Sequence, residues 1–183
     1  MTDISTPIVQ MQGVTKHFGH VLANDQVDFE LLPGEIHGLL GENGAGKTTL
    51  MNILYGMHQP DRGVIRVRGV EHAIHSPHDA IRLGIGMVHQ HFTQVPTLTV
   101  IDNIILGMQS TGQVVLDRQV ARQRILQIAQ AYGLHVDPDA RIWQLSIGDR
   151  QRVEILKALY KNADILILDE PTSVLTQIGR AHV

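Results

Sequence analysis

Short apolar runs alternate with helical segments along the whole chain. Runs typical of β-strands occur at residues 8–14, 27–32, 36–40, 64–69, 84–88 and 165–168. Helices are predicted between them, at residues 48–55, 79–83, 99–106, 117–132 and 149–161. Strands separated by helices indicate an α/β fold with a parallel sheet, and residues 92–144 predict a helical insertion into that sheet.

Two of the predicted helices each carry one apolar face. In residues 117–132 this face consists of Ala121, Ile125, Ile128, Ala129 and Tyr132. In residues 149–161 it consists of Val153, Leu156, Leu159 and Tyr160. Such a face is typical of a helix that packs on a core.

Composition limits the classes of protein that need to be considered. The net charge of the 183 residues is −3, which gives no reason to expect nucleic-acid binding. The chain has no cysteine, so it offers no disulfide framework and no zinc–thiolate site. No apolar run approaches the roughly 20 residues that span a bilayer, and the first residues lack the pattern of a secretory signal. We therefore expect a cytoplasmic protein.

The most specific motif lies between the strand predicted at residues 36–40 and the helix that follows. The pattern G-x-x-x-x-G-K-[ST] is matched by Gly41, Glu42, Asn43, Gly44, Ala45, Gly46, Lys47 and Thr48. An accidental glycine-rich turn of this pattern is expected in only about one chain in a few hundred of this length. We therefore interpret the segment as a phosphate-binding loop.

The residue types in this loop suit phosphate binding. Glycines let backbone N–H groups converge on a phosphate, and the helix N-terminus adds further donors. Lys47 brings a positive charge to the β- and γ-phosphates, and the Thr48 hydroxyl is suited to ligate Mg²⁺. The residues expected to bind the nucleotide are Gly41, Asn43, Gly44, Ala45, Gly46, Lys47, Thr48 and Thr49.

A second element of the site is predicted at the end of the last apolar run. Residues 165–168 are four aliphatics, and Asp169 and Glu170 follow them directly. A buried parallel strand would place these acids at its carboxyl end, where Asp169 can hold Mg²⁺ and Glu170 can orient or deprotonate a water. The alternative is an ordinary strand followed by two solvated acids, and the upstream phosphate loop makes that alternative the weaker one.

A third element precedes the helix at residues 149–161. Ser146 is suited to cap that helix, and Gly148 permits a close approach to the backbone. Taken alone, Leu145–Asp149 need be no more than a helix cap. Together with the loop and the Asp169–Glu170 pair, however, the segment resembles the signature of the ATP-binding cassette of ABC transporters. The order and spacing of the elements agree with that family over residues 8–176.

The resemblance implies a fold and a set of roles. The fold is a phosphate-loop NTPase, with a mostly parallel core sheet, an N-terminal antiparallel β part and a helical insertion. Gln90 matches the family's glutamine that contacts Mg²⁺ and the γ-phosphate, as a catalytic residue and metal ligand, although it could be a surface amide. Phe18 matches the aromatic that stacks on adenine, although it could equally be a core residue. Ser146 and Gly148 would contact ATP bound to a second cassette.

The importer ATPases for simple sugars and nucleosides are the most similar branch. The amino-acid sequences of residues 87–92, 153–160 and 169–176 are similar to that branch. The signature has Ile147 and Asp149 where the common form has Gly and Gln, and Thr176 replaces the usual Asp. The non-Gly third position and the Thr are familiar in the branch, and the Thr puts in doubt any contact assigned to the usual Asp.

The resemblance implies an ATP-hydrolysing, Mg²⁺-dependent subunit of an ABC importer that drives uptake of a simple sugar or nucleoside. Its partners would be a second ATPase cassette, two transmembrane permease subunits and, indirectly, an extracytoplasmic substrate-binding protein, with no nucleic acid. It would lie peripherally on the cytoplasmic face of the membrane. The alternative is a soluble ABC-type ATPase acting on DNA or the ribosome. A lone phosphate-loop kinase would not explain Leu145–Asp149.

The 11 histidines raise a further alternative, a metal site. His72, His75 and His78 recur every third residue, and His89 and His91 flank Gln90. No acid or cysteine is organised around the first three, so we do not favour metal binding there.

The segments expected are residues 1–91, with the N-terminal β part and the phosphate-loop core; 92–144, the helical subdomain; 145–176, the signature helix and Asp-Glu strand; and 177–183, a non-native tail. Residues 178–183 back-translate to ATC GGA AGA GCA CAC GTC, a common sequencing adapter. A genuine divergent terminus is the alternative. We expect a cassette that is incomplete at its C-terminus, lacks the family's γ-phosphate histidine, hydrolyses ATP poorly and leaves a gap or edge beside residues 165–168.

Overall fold

The computed structural model describes residues 6–89, 93–106 and 117–169. The chain divides into two compact units, with the boundary between Leu83 and Gly84. Among the helices of the described ranges, none has the length and hydrophobicity needed to cross a bilayer. The segment boundaries expected from the sequence, at residues 91 and 144, stay a prediction.

The first unit is built on a four-stranded antiparallel sheet. Its strands are β1 (Val9–Phe18), β2 (Val21–Leu31), β3 (Arg62–Val67) and β4 (Val70–Glu71), arranged in the order β2-β1-β3-β4. The register places Val9 opposite Leu31 on one side and Val67 on the other. β1 is therefore a central strand, and its Val9, Met11 and Val14 side chains are fully buried.

Two helices complete the first unit. They are α1 (Lys47–Leu54) and α2 (Pro77–Arg82). α1 buries Leu50, Ile53 and Leu54, whose spacing of three and four places them on one helical face. The buried apolar side chains of the unit are Val9, Met11, Val14, Leu50, Ile53, Leu54, Ile65, Val67, Ile74 and Ala80.

The second unit combines a parallel strand pair with three helices. Its elements are β5 (Ile85–Val88), α3 (Val100–Ile105), α4 (Arg118–Ala131), a short 3-10 helix (Ile142–Gln144), α5 (Ile147–Tyr160) and β6 (Ile165–Leu168). β5 and β6 pair in parallel, with Ile85 opposite Ile165 and Val88 opposite Leu168. The core cluster is Val88, Val100, Ile101, Ile104, Ala121, Ile125, Ala129, Leu134, Ile142, Val153, Ile155, Leu156, Leu159 and Tyr160.

The predicted fold class is confirmed, and most predicted elements occur with shifted ends. β1 and β2 are longer than expected because their pairing continues as far as Phe18 and Val21. The apolar face predicted on α5 is buried as expected.

Two predictions are wrong. Residues 36–40 form no strand, and the side chains of Ile36 and Leu40 are each 95% exposed. A strand needs a neighbour to bond its backbone groups, and within the described residues no strand pairs with this run. Tyr132 is 62% exposed rather than on the buried face of α4, because the helix ends at Ala131 and the tyrosine lies beyond it.

Candidate functional site

The phosphate-loop motif forms a tight turn at the start of α1. Gly44 and Gly46 have φ angles of 85° and 82°, in the left-handed region that favours glycine. The Ala45 N–H donates to the Glu42 carbonyl oxygen at 3.2 Å, which closes the turn. Gly46 is the residue at the N-terminus of α1, and no side chain caps it. The first amides of α1 therefore have no acceptor within the helix and are available to an anion.

Lys47 lies over this turn. Its Nζ donates to the carbonyl oxygens of Gly41 at 2.7 Å and Glu42 at 2.8 Å. Both partners are neutral, and within the described residues Lys47 forms no ion pair. The positive charge is therefore held at the loop without a carboxylate to neutralise it. An anionic ligand can exchange for the two carbonyls without separating an ion pair.

β2 forms the seat of the loop through Ala23 and Asn24. Asn24 is only 6% exposed, and its Nδ2 donates to the Gly46 carbonyl oxygen at 3.2 Å. A Cβ built on Gly46 would collide with the Ala23 backbone oxygen and would lie 2.8 Å from Asn24 Nδ2. The position accepts only glycine for steric reasons as well as conformational ones. Sequence analysis missed Asn24, because it lies in a stretch predicted as a connection between strands.

Phe18 lies at the end of β1, in the hairpin that also carries Asn24. The ring is 43% exposed, meets His58 edge-on at 5.1 Å between ring centroids, and lies 5.5 Å from Lys16 Nζ. Lys16 is opposite Asn24 in the β1–β2 register. Phe18 is therefore two residues, about 7 Å, along the strand from the level of the loop seat.

Asp61 fixes this end of β1. It accepts from the His17 N–H at 2.6 Å, and from Lys16 Nζ and the His17 ring, each at 3.1 Å. These bonds, the His17 backbone N–H first, lower the pKa of the Asp61 carboxyl to about 2. Asp61 thereby holds the two residues that precede Phe18.

At the start of α5, in the signature segment, Ser146 and Asp149 form two hydrogen bonds with each other. Ser146 caps the helix: its Oγ accepts from the Asp149 N–H at 3.2 Å and donates to Asp149 Oδ2 at 2.7 Å. Arg152 Nη1 donates to the other carboxylate oxygen, Oδ1, at 2.6 Å. Gly148 lies in the first turn, and Ile147 is exposed beside it. The capping role expected for Ser146 is present.

The segment that follows Gln90 is fastened to α5. Gln94 Nε2 donates to the Arg150 carbonyl oxygen at 2.6 Å. The Thr93 N–H and hydroxyl both approach Oε1 of Glu154, at 3.3 and 3.5 Å, and the glutamate is buried. Sequence analysis missed Glu154; its only signal was a charged residue between Val153 and Ile155, inside an apolar stretch.

Asp169 follows β6 at its carboxyl end. Its N–H donates to the Val88 carbonyl oxygen at 3.1 Å, so the parallel pairing with β5 extends to it. Glu170 and Gln90, the two predicted catalytic residues, lie outside the described residues. No group of three or more His, Cys, Asp or Glu side chains suited to a metal ion occurs within the part of the chain that is described.

The predicted site residues thus fall into two groups. The first unit contains Phe18 and the loop with its continuation, Gly41, Asn43, Gly44, Ala45, Gly46, Lys47, Thr48 and Thr49. The second unit contains Ser146, Gly148 and Asp169.

Comparison with known proteins gives this arrangement its context. A family model described as ABC transporter matches residues 24–173, from the loop seat to beyond Asp169. The chain belongs to the ABC transporter family. The resemblance inferred from the phosphate loop, the signature and the Asp169–Glu170 pair is therefore confirmed.

The relatives of the chain include import ATP-binding proteins. The chain is 57% identical over 169 residues to the nucleoside import ATP-binding protein NupA of Lactococcus lactis subsp. cremoris. It is 53% identical over 169 residues to the guanosine import ATP-binding protein NupO of Bacillus subtilis. Both alignments cover 92% of this chain and 33% of the relative. The chain thus spans about a third of the length of these relatives.

Solved ATP-binding cassettes share the fold. The ADP conformation of MJ1267, an ATP-binding cassette of an ABC transporter, has a TM-score of 0.79 at 24% identity and covers 92% of this chain and 70% of that one. The dimeric post-hydrolysis state of the cassette MJ0796, bound to ADP and Pi, has a TM-score of 0.74 at 26% identity and covers 93% of this chain and 78% of that one. The described residues therefore have the cassette fold.

Proposed function

We propose that this chain is the ATP-binding and ATP-hydrolysing part of an ABC importer that takes up a nucleoside or a simple sugar. The observation that carries the proposal is the loop at the start of α1. It combines uncapped helix amides with a lysine that pairs with no carboxylate of the described residues. The names of the import ATP-binding relatives support the class of transported compound.

The loop fits the triphosphate of ATP. No atom lies within 4 Å of the position that a Cβ on Gly44 would take, and the first amides of α1 have no acceptor within the helix. Lys47 would leave the carbonyl oxygens of Gly41 and Glu42 and donate to the β- and γ-phosphates. Phe18, half exposed at the hairpin end, would stack on adenine.

The oxygen donors named from the sequence suit Mg²⁺. Thr48, Gln90 and Asp169 would supply a hydroxyl, an amide and a carboxylate oxygen, the ligand types that this hard cation prefers. The ion, when bound, neutralises charge on the phosphates. Glu170 would orient and deprotonate the water that attacks the γ-phosphate.

Ser146 and Gly148 would act on the ATP of a second cassette. A helix start with a hydroxyl and a small residue suits contact with a phosphate. Association of two cassettes around ATP would drive two transmembrane permease subunits at the cytoplasmic face of the membrane, with an extracytoplasmic binding protein delivering the substrate. The exposed Ile147 beside the signature would lie in that contact.

Nucleotide affinity tests the phosphate site. In the full-length protein encoded by this gene, Lys47→Ala should weaken ATP binding by about 100-fold, because it removes a charge-assisted bond to the phosphates. Lys157→Ala, which removes a lysine from α5, should leave the affinity unchanged. Equal ATP affinity of Lys47→Ala and wild type, by calorimetry, would contradict the assignment.

Turnover tests the hydrolytic role. Glu170→Gln should retain ATP binding but lose steady-state phosphate release, because the metal ligands remain and the base does not. Normal turnover in this variant would move the catalytic base to another residue. Uptake of labelled guanosine and ribose by cells with and without the gene would then identify the compound class.

A further inference from the structure

The signature serine has no hydrogen left to donate. A serine hydroxyl has one proton and two acceptor positions. In Ser146 the proton is donated to Asp149 Oδ2 at 2.7 Å, and one acceptor position takes the Asp149 N–H at 3.2 Å. A phosphate oxygen can only accept. It therefore gains nothing from the Ser146 hydroxyl unless the bond to Asp149 breaks.

The carboxylate that accepts from Ser146 is itself paired with an arginine. Asp149 stands three residues into the signature, at the position where the common form of the family has an uncharged Gln. Arg152 Nη1 donates to its Oδ1 at 2.6 Å and so holds the carboxylate turned with its second oxygen toward Ser146. An approaching γ-phosphate thus meets a serine whose hydroxyl already donates to a carboxylate that Arg152 neutralises.

The same hydrogen-bond pair occurs elsewhere in the chain. At the start of α2, Ser76 Oγ donates to Asp79 Oδ2 at 2.8 Å, and Arg82 pairs with the other oxygen of Asp79. Ser76 therefore provides a copy of the arrangement at a helix start that is outside the signature. What distinguishes Ser146 is the task proposed for its hydroxyl.

We propose that Asp149 is a positioning residue that competes with the γ-phosphate of ATP for the Ser146 hydroxyl proton. The inference rests on the proposed function, since it requires that Ser146 meets ATP across two cassettes. In an isolated cassette the Ser146 hydroxyl donates its hydrogen bond to Asp149. When a second cassette presents ATP, the hydroxyl rotates to the phosphate, and Arg152 keeps the released carboxylate neutralised. Asp149 thereby lowers the affinity for ATP, because the γ-phosphate must compete for the hydroxyl. The affinity for ADP, which has no γ-phosphate, is unaffected.

The test compares ATP with ADP in the full-length protein, in the Glu170→Gln background that prevents turnover. Asp149→Asn keeps the shape of the side chain but removes the charge, and a neutral acceptor holds a hydroxyl about half as strongly. We expect the ATP dissociation constant, by calorimetry, to fall about three- to tenfold, with the ADP constant unchanged. Asp149→Gln should act in the same direction.

Two controls separate this effect from helix capping. Asp79→Asn disrupts the matching pair on α2, and it should leave the ratio of ATP to ADP affinity unchanged. In a Ser146→Ala background, Asp149→Asn should no longer raise ATP affinity, because the hydroxyl for which the two acceptors compete is gone.

The outcomes are distinguishable. Unchanged or weaker ATP binding by both folded Asp149 variants would overturn the inference while leaving ATP binding and the proposed function intact. A gain that persists with Ser146→Ala would also overturn it, because the effect would then not pass through the serine. A wild-type protein that binds no ATP would overturn the proposed function and the inference together.

Discussion

The starts of α1 and α5 solve the same problem in opposite ways. Every helix begins with amides that lack an acceptor within the helix. At α1 the cap position is Gly46, and no side chain supplies an acceptor there. At α5 the cap position is Ser146, whose hydroxyl caps the helix and also donates to Asp149. The first start is left open to a ligand, and the second is satisfied by the chain itself.

This difference shows what each residue type contributes. Glycine at position 46 has no side chain to cap the helix, but it permits a φ of 82° and a close approach to β2. Serine at position 146 stabilises its helix in the absence of any ligand, typically by about 1 kcal/mol. The open start depends on support from β2, whereas the capped start stabilises itself.

The largest effect is expected where the start of α1 contacts β2. Gly46→Ala should lower the free energy of unfolding by about 2–4 kcal/mol, because the new Cβ collides with the Ala23 backbone oxygen and the φ is unfavourable for alanine. ATP binding should be lost with it. Gly44→Ala is the matched control, since its φ is also positive but no atom lies within 4 Å of the added Cβ. The difference between the two variants in unfolding free energy, measured with urea, gives the cost of the collision alone. Equal losses of stability would show that β2 does not pack against Gly46 as described.

The hydrogen bond from β2 should matter next. Asn24→Ala removes the donor to the Gly46 carbonyl oxygen in a buried position, which should cost about 1–2 kcal/mol of unfolding free energy. ATP affinity should fall as well, because the loop loses its support. Urea titration measures the stability and calorimetry the ATP affinity. If the stability falls but the affinity does not, Asn24 supports the fold without positioning the loop.

A smaller effect is expected at the capped start. Ser146→Ala should cost about 1 kcal/mol of unfolding free energy, measured by urea titration. Unlike the changes at the open start, it should leave ADP affinity unchanged, because the contact proposed for the signature is with the ATP of another cassette. A loss of ADP affinity equal to that of Asn24→Ala would remove the distinction between the two helix starts.

The smallest effect is expected at Asp61, which holds the end of β1 in the β1–β2 hairpin, and this effect should depend on pH. The folded pKa of Asp61, about 2, lies below its ordinary value of 3.8, so its bonds stabilise the fold above about pH 4 and lose that effect as pH falls toward 2. Asp61→Asn should therefore lower the melting temperature at pH 7, and the difference from wild type should disappear near pH 2. A difference that is constant from pH 7 to 2 would exclude the carboxylate as its cause.

The sequence predicted those parts of the fold and site that depend on local pattern. The loop at Gly41–Thr48 and the cap at Ser146 could be predicted, since motif and helix start coincide. Asn24 could not be, because its importance comes from β2 crossing behind the loop, a contact between residues 22 positions apart. The strand predicted at residues 36–40 failed for a related reason: an apolar run specifies a tendency, and a pairing partner decides whether a strand forms.

The parallel pair β5–β6 also has a consequence for the order of folding. Ile85 is opposite Ile165, 80 positions along the chain, and the residues between them include α3, α4 and α5. Closing a loop of that length costs entropy before any strand bond compensates for it, whereas the helices need only contacts between near neighbours. The helical cluster should therefore form first and bring the two strands together, so that the pairing that places Asp169 beside Val88 is completed late in folding.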